Sequence, residues 1–274
     1  LRVNMLKTVI YGINFYPEVT GIGKFSGEMA FWFAEKGMKI TVITTVPHYP
    51  QWKPHNNYNN FKYKNENIEI KNKNNQLDDG LLTIYRCPIW IPQKPTTFKR
   101  LLYWFSFFVS SFPIIIYEIF KNYKLIIAVT PPVFFTVHLL FLSLFTKSKK
   151  ILHIQDFEID AIFDMNLIKN VLLKKLILII EFIILKNFDY ISSISENMVQ
   201  KIVSKKVSKN KVILFSNWVN TNQIFPMENN KRFKNKLKLD LSKFVILYSG
   251  NIGGKQGLDS LIDAAKILHK ENNI

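Results

Sequence analysis

The chain has 274 residues, 48% of them hydrophobic, and carries 37 Lys and Arg against 20 Asp and Glu, a formal charge of +17. That length accommodates one large or two smaller globular domains with a buried core, and the charge suits anionic partners such as nucleic acid, acidic lipid or phosphorylated substrates. A single cysteine, Cys87, excludes a disulfide framework and a multi-cysteine metal centre and is expected to pack as a small apolar residue.

Strand-like and helix-like stretches alternate along the chain. Thr8–Ile13 is a short apolar strand, and no signal-peptide pattern precedes it, because the apolar run Leu6–Ile10 is too short. Lys24–Lys36 sets Phe25, Met29, Trp32 and Phe33 at helical spacing, with Gly37 as a C-terminal cap. Lys39–Thr45 is a second strand. The Asn- and Lys-rich stretch Asn56–Gln76 is expected as a solvated loop, followed by a strand at Leu82–Cys87. Phe98–Lys121 is a long apolar helix interrupted at Pro113. Four strands follow, at Lys124–Val129, Lys150–Ile154, Asp189–Ile194 and Lys211–Phe215, separated by helices at Val133–Phe145, Leu167–Lys186 and Glu196–Val203. A polar segment then leads to a strand at Lys243–Tyr248 and a helix at Leu258–His269. The alternation predicts an α/β fold. A Rossmann-like parallel sheet with helices on both faces occupies 1–219, a linker 220–240, and the first strand–helix pair of a second such domain 241–274. Ligands of such sheets sit at the carboxyl ends of the strands.

Leu101–Phe120, Leu125–Phe145 and Leu172–Leu185 raise the question of membrane spans. Pro113 and Glu118 interrupt the first, a proline pair the second, and two lysines and a glutamate the third, so strands and helices account for them better. A helix face resting on an anionic bilayer, held by aromatics with Lys99, Arg100, Lys174 and Lys175, remains compatible.

The stretch "FYPEVTGIGKFSGEMA" (Phe15–Ala30) crowds three glycines between a strand and a helix. A dinucleotide fingerprint would need Gly-x-Gly-x-x-Gly at the strand's end and a carboxylate closing the second strand; Gly21, Gly23 and Gly27 have another spacing, and "TTVPHYP" holds no carboxylate. A P-loop would need Ser or Thr after Lys24 and a glycine at position 18, where Phe25 and Glu18 stand. What survives is either a tight packing turn or a helix N-terminus that offers N–H groups, with Lys24, to an anion or to sugar hydroxyls. A second glycine loop, "LYSGNIGGKQGLDSLIDAA" (Leu247–Ala265), favours a ligand cleft approached from two domains.

"INFYPEVTGIGKFSGEMAFWFAEKGMKITVITTVPHYPQW", "YRCPIWIP", "HIQDFEID", "SSISENM", "FSNWVNT" and "LYSGNIGGKQGLDSLIDAAK" together resemble family 4 glycosyltransferases of the GT-B fold, in the branch of colanic-acid, capsule and O-antigen assembly. The resemblance runs in order along almost the whole chain. It implies an acceptor-binding first domain and a second domain that binds a UDP- or GDP-sugar. It also implies retention of anomeric configuration and no bound metal or other cofactor. Gly21, Gly23 and Lys24 then fall in the glycine loop lining the cleft, and Gly250, Asn251, Lys255 and Gly257 in the loop that grips the donor diphosphate, Lys255 supplying charge to the leaving group. Asn251 replaces an Arg common in relatives, and Gln155-Asp156 replaces a common His-Asp. His153 lies two residues before Gln155 and so shares its face in a strand. His153, Gln155 and Asp156 are the catalytic candidates; a packed histidine is the alternative for His153. Asp156, Glu158 and Asp160 form a period-two carboxylate run, with Glu158 a partner for sugar hydroxyls or cations rather than metal. His48 and Tyr49 are acceptor-side candidates.

The resemblance implies a saccharide acceptor, oligosaccharide or lipid-diphosphate-linked, and a peripheral position on the inner face of the plasma membrane. Nucleic acid is not expected as a partner, since no recognised motif accompanies the dispersed lysines. The family's base pocket and paired-glutamate motif would lie beyond Ile274, so 1–274 by itself is expected to be inactive or very weak. The competing expectation is a non-catalytic remnant that binds acceptor or membrane, or half of a split enzyme.

Overall fold

The computed structural model describes residues 6–71, 79–164, 168–226, 232–241, 245–250, 252 and 256–269. The chain divides into two compact units, Leu1–Trp218 and Val219–Ile274.

In the first unit the elements follow in the order β1 (Lys7–Tyr11), α1 (Gly21–Glu35), β2 (Lys39–Thr45), β3 (Lys64–Ile70), β4 (Gly80–Cys87), α2 (Thr97–Glu118) and β5 (Leu125–Thr130). A 3-10 turn (Val133–Thr136), α3 (Val137–Thr146), β6 (Lys149–Ile154), α4 (Glu158–Asp164), α5 (Val171–Lys186), β7 (Tyr190–Ser193), α6 (Glu196–Ser204) and β8 (Val212–Leu214) complete it. The strands form one sheet in the order β3-β4-β2-β1-β5-β6-β7-β8. All neighbours are parallel except β3, which runs antiparallel to β4 along the edge.

The period-two alternation of the central strands separates two cores. Val9 and Tyr11 of β1, with Ile126 and Ala128 of β5 and Leu152 of β6, face a core closed by Phe107 of α2, Leu142 of α3, Leu185 of α5 and Ile202 of α6. Ile10, Val42 and Val129 face the other way, against Met29, Ala30 and Ala34 of α1. The chain steps one way from β1 to β2 and the opposite way from β5 onward. Right-handed crossovers therefore place α1 on one face and α2, α3, α5 and α6 on the other, giving the doubly wound sheet expected from the alternation.

Several expectations need correction. Residues 64–70 of the supposed loop form β3, whose Asn65, Asn67 and Glu69 alternate outward on an edge strand while Glu66 pairs with Arg86 at 3.0 Å; residues 72–78 lie outside the described residues. Pro113 does not interrupt α2: Pro113 and Val109 both face solvent, so the carbonyl left without its helical partner can be hydrated. The acidic run after β6, to which no element was assigned, opens α4, with Glu158 and Asp160 in the first helical turn. In the second unit, α7 (Arg232–Lys236) falls in the expected linker and α8 (Asp259–Leu268) matches the expected helix. Residues 245–248 form no strand, because no neighbouring strand pairs with them among the described residues.

α2 is long and apolar enough to cross a membrane by length and composition. Tyr103, Phe107 and Ile115 nonetheless bury into the sheet core. α5 inverts the usual pattern: Leu172, Ile179 and Ile183 are exposed, whereas Glu181 points inward and is only 5% exposed. Lys205 resolves that charge, its Nζ lying 3.0 and 2.8 Å from the two Glu181 oxygens and 2.9 Å from Asp160 Oδ2. Breaking a buried pair strands the remaining charge. Lys205→Met is expected to cost about 3 kcal/mol or more in urea unfolding, and the double variant Lys205→Met with Glu181→Leu to regain most of it.

Candidate active site at the carboxyl edge of the sheet

Parallel strands deliver all their following loops to one edge. The loops after β1, β2, β5, β6, β7 and β8 meet there, and the chain's direction reverses between β1 and β5, the place where doubly wound sheets open a crevice. Gly12 marks this point, since a Cβ there would lie 3.3 Å from Cβ of Val129.

The glycine turn is part of α1 rather than a loop before it. Gly21 opens the helix with φ +59 and stands exposed. Gly23 is buried, and its lack of a side chain has a specific cause: a Cβ would fall 2.4 Å from Oε2 of Glu18. Glu18, which the sequence reading passed over, is 3% exposed. Its Oε1 accepts the backbone N–H of His48 (3.0 Å) and of Tyr49 (2.9 Å), and its Oε2 accepts from Asn14 Nδ2 (3.0 Å). Burial holds its pKa above the usual carboxylate value, opposed by those hydrogen bonds and by the charge of Arg86. Arg86, fully buried in β4, braces the same loops by donating to the carbonyls of Tyr16 (2.8 Å) and Thr45 (3.1 Å). The available signals were a lone acid just ahead of the glycines and an Arg inside an apolar strand.

His48 lies beneath the surface at 0% exposure. Its Nδ1–H donates to the Val46 carbonyl (2.7 Å) and its Nε2 accepts from the Tyr103 hydroxyl (2.6 Å), so neither nitrogen is open to an acceptor sugar. Burial pushes its pKa down to about 4, which leaves the ring neutral and its 3.8 Å approach to Glu18 no ion pair. Tyr49 is half-buried, with its ring 3.7 Å from the point where a Gly21 Cβ would stand. Lys24 is 4.0 Å from Glu28 Oε1, and Glu28 Oε2 accepts from Trp218 Nε1 at 2.6 Å. Trp218 also meets the Phe25 ring at 5.3 Å, so the segment leaving β8 runs back along this edge to α1.

At the end of β6 the catalytic candidates form a short polar chain. His153 is buried, and its Nδ1–H donates to Ser192 Oγ (3.0 Å) while Nε2 accepts from the Gln155 amide (3.2 Å). Gln155 Oε1 accepts from Asn217 Nδ2 (3.4 Å), which fixes its amide orientation. Burial lowers the His153 pKa to about 4, so His153 orients Gln155 while half-buried Gln155 faces the edge. Asp156 and Glu158 line a small recess with Thr130, Val133 and Ile154. Glu158 accepts the Val133 N–H at 2.8 Å, and burial raises its pKa to about 7, with Asp156 and Glu181 adding to the rise. Asp160 is turned away to Lys201 (3.2 Å) and Lys205. Among the described residues no group of three His, Cys, Asp or Glu is placed to hold a metal ion. In the second unit Gly250 and Gly257 are exposed, Gly257 with φ +60, and Asn251 and Lys255 lie outside the described residues.

These ionisations set opposing pH windows. His48, His138 and His153 are neutral and buried, with pKa values lowered from 6.5 to about 4, so the unfolded chain binds more protons and stability falls as pH drops from about 6.5 toward 4. Glu158 acts oppositely: its folded pKa of about 7 exceeds the ordinary 4.5, so protonation favours the fold as pH drops through that range. Denaturant-unfolding free energies measured from pH 7.5 to 4.5 are expected to fall, and to fall more steeply in Glu158→Gln, which lacks the offset.

No protein-family model matches the chain. The chain is 39% identical over 272 residues, 97% of its length, to the putative colanic acid biosynthesis glycosyl transferase WcaI of Escherichia coli K12, and it spans 64% of that protein. Among solved structures, sucrose-phosphate synthase from Thermosynechococcus elongatus aligns with TM-score 0.60 at 14% identity, over 96% of this chain and 60% of that one. HepE from Anabaena, solved in complex with UDP and glucose, aligns with TM-score 0.51 at 11% identity, over 94% and 57%. The fold is thus of the GT-B type that the motifs led us to expect.

Proposed function

We propose that this chain, a relative along nearly its whole length of a colanic acid biosynthesis glycosyl transferase, supplies the acceptor side of a sugar-transfer cleft. The reaction moves a sugar from a UDP- or GDP-sugar to a saccharide acceptor, lipid-diphosphate-linked, in bacterial surface polysaccharide synthesis. The observation that carries the reading is convergence. Motifs as far apart as Tyr16–Gly23, His48–Tyr49, His153–Glu158 and Phe215–Trp218 meet at the one edge where doubly wound sheets bind ligands.

In this reading Tyr49 offers its ring and hydroxyl to the acceptor sugar, and the α1 N-terminus offers backbone N–H groups beside Lys24. Gln155, oriented by His153 and Asn217, offers its remaining amide N–H to a sugar hydroxyl. Retention and independence of a metal follow the resemblance. The donor diphosphate is then stabilised by cations and helix N-termini, Lys255 among them.

The proposal places the protein on the cytoplasmic face of an anionic membrane. The outward apolar face of α5, with exposed Lys174 and Lys175, supports this, as do exposed Phe98 and Phe105 of α2. The test is to incubate the product of the complete reading frame with a panel of UDP- and GDP-sugars and bacterial membrane lipid extract, with and without chelator. Release of nucleotide diphosphate with label entering the lipid fraction is expected, unchanged by chelator and greater on anionic than on neutral vesicles. Absence of transfer with every donor contradicts the reading.

A further inference from the structure

We propose that Glu18 is a positioning residue that sets the acceptor-side lip of the cleft; the proposal rests on the transferase reading above. The side chain sits in the loop after β1, yet its Oε1 grips two successive backbone N–H groups, of His48 and Tyr49, in the loop after β2. Oε2 holds Asn14 of its own loop. All of these partners are donors, the arrangement an ionised carboxylate requires, since a carboxylic acid would need an acceptor for its own proton. Hydrogen bonds to a charged acceptor are about twice as strong as neutral ones, so the tie is firm for its size.

Three features place this anion in service of the site rather than of the core at large. It lies under the first turn of α1, close enough that Gly23 can carry no side chain. There the positive end of the helix favours it. Its partner Tyr49 is the residue whose half-buried ring stands over Gly21, so one buried group fixes both the helix start and the aromatic side chain that form the lip. His48, packed beneath on Tyr103, completes the floor without reaching the surface. Moving Glu18 therefore moves Tyr49 and the α1 turn together, and the acceptor's seat with them.

The test compares wild-type protein, Glu18→Ala and Glu18→Gln, each from the complete reading frame. Hydrogen exchange at the His48 and Tyr49 amides is expected to quicken at least about tenfold in Glu18→Ala, with β2 amides unchanged. In steady-state transfer with membrane lipid extract and the best donor of the panel, Glu18→Ala is expected to raise acceptor KM about tenfold, with donor KM and kcat within about threefold of wild type. Glu18→Gln keeps the shape and one acceptor oxygen, is expected to recover part of that loss, and stands in should the alanine variant fail to fold. Unchanged exchange at both amides, or acceptor KM equal to wild type in both variants, overturns the proposal. If the wild-type protein transfers nothing, the transferase reading falls, and the exchange arm still decides whether Glu18 positions the two loops.

Discussion

The parallel pairing of β1 between β2 and β5 is the constraint on which the rest of this structure depends. Tyr11 stands opposite Ile43 on one side and Ala128 on the other, and the direction of chain progress reverses at this strand. Since crossovers between parallel strands are right-handed as a rule, the reversal sends α1 to one face and α2, α3, α5 and α6 to the other. It also leaves a crevice at the carboxyl ends, where the loops that resemble a glycosyltransferase cleft all arrive. A change of one residue in this register would turn Ile10 and Tyr11 to the wrong cores.

Around that crevice the loops are held by buried charge rather than by apolar packing alone. Glu18 ties the loop after β1 to that after β2, and Arg86 reaches both from β4. Glu66 on the edge strand partners Arg86, which gives β3 a role beyond covering an edge. Farther along the sheet, Glu158 caps the turn after β5 and Glu181 pairs with Lys205. Buried ions of this kind are costly unless fully partnered: Glu18, Arg86 and Glu181 have their partners, whereas burial raises the Glu158 pKa to about 7. The result is an edge whose backbone is fixed while Tyr49, Gln155 and Lys24 keep surface to offer.

Much of the fold was legible because its central strands are continuous apolar runs between polar punctuation; Lys39–Thr45 has the expected bounds. β3 was hidden by composition, since a Lys- and Asn-rich stretch looks solvated even where Glu66, Ile68 and Ile70 alternate toward a neighbour. α1 begins three residues earlier than its periodicity indicates, because Gly21 and Gly23 have poor helix propensity that tertiary packing overrides. α4 was masked by a carboxylate spacing that also suits an extended chain. At the site, sequence order placed His153, Gln155, Tyr49 and the glycine turn at one edge, but burial is not written in spacing. His48 therefore seemed available when it is enclosed, and Glu18, read only as the residue that breaks a P-loop spacing, is 3% exposed.

The central claim is that this edge receives an acceptor saccharide. Hydrogen exchange of the protein with and without bacterial membrane lipid extract tests it most directly. Added protection concentrated in peptides covering Asn14–Lys24, Val46–Trp52 and His153–Glu158 is the predicted result. Protection confined to the outer faces of α2 and α5, with those edge peptides unchanged, would contradict the account.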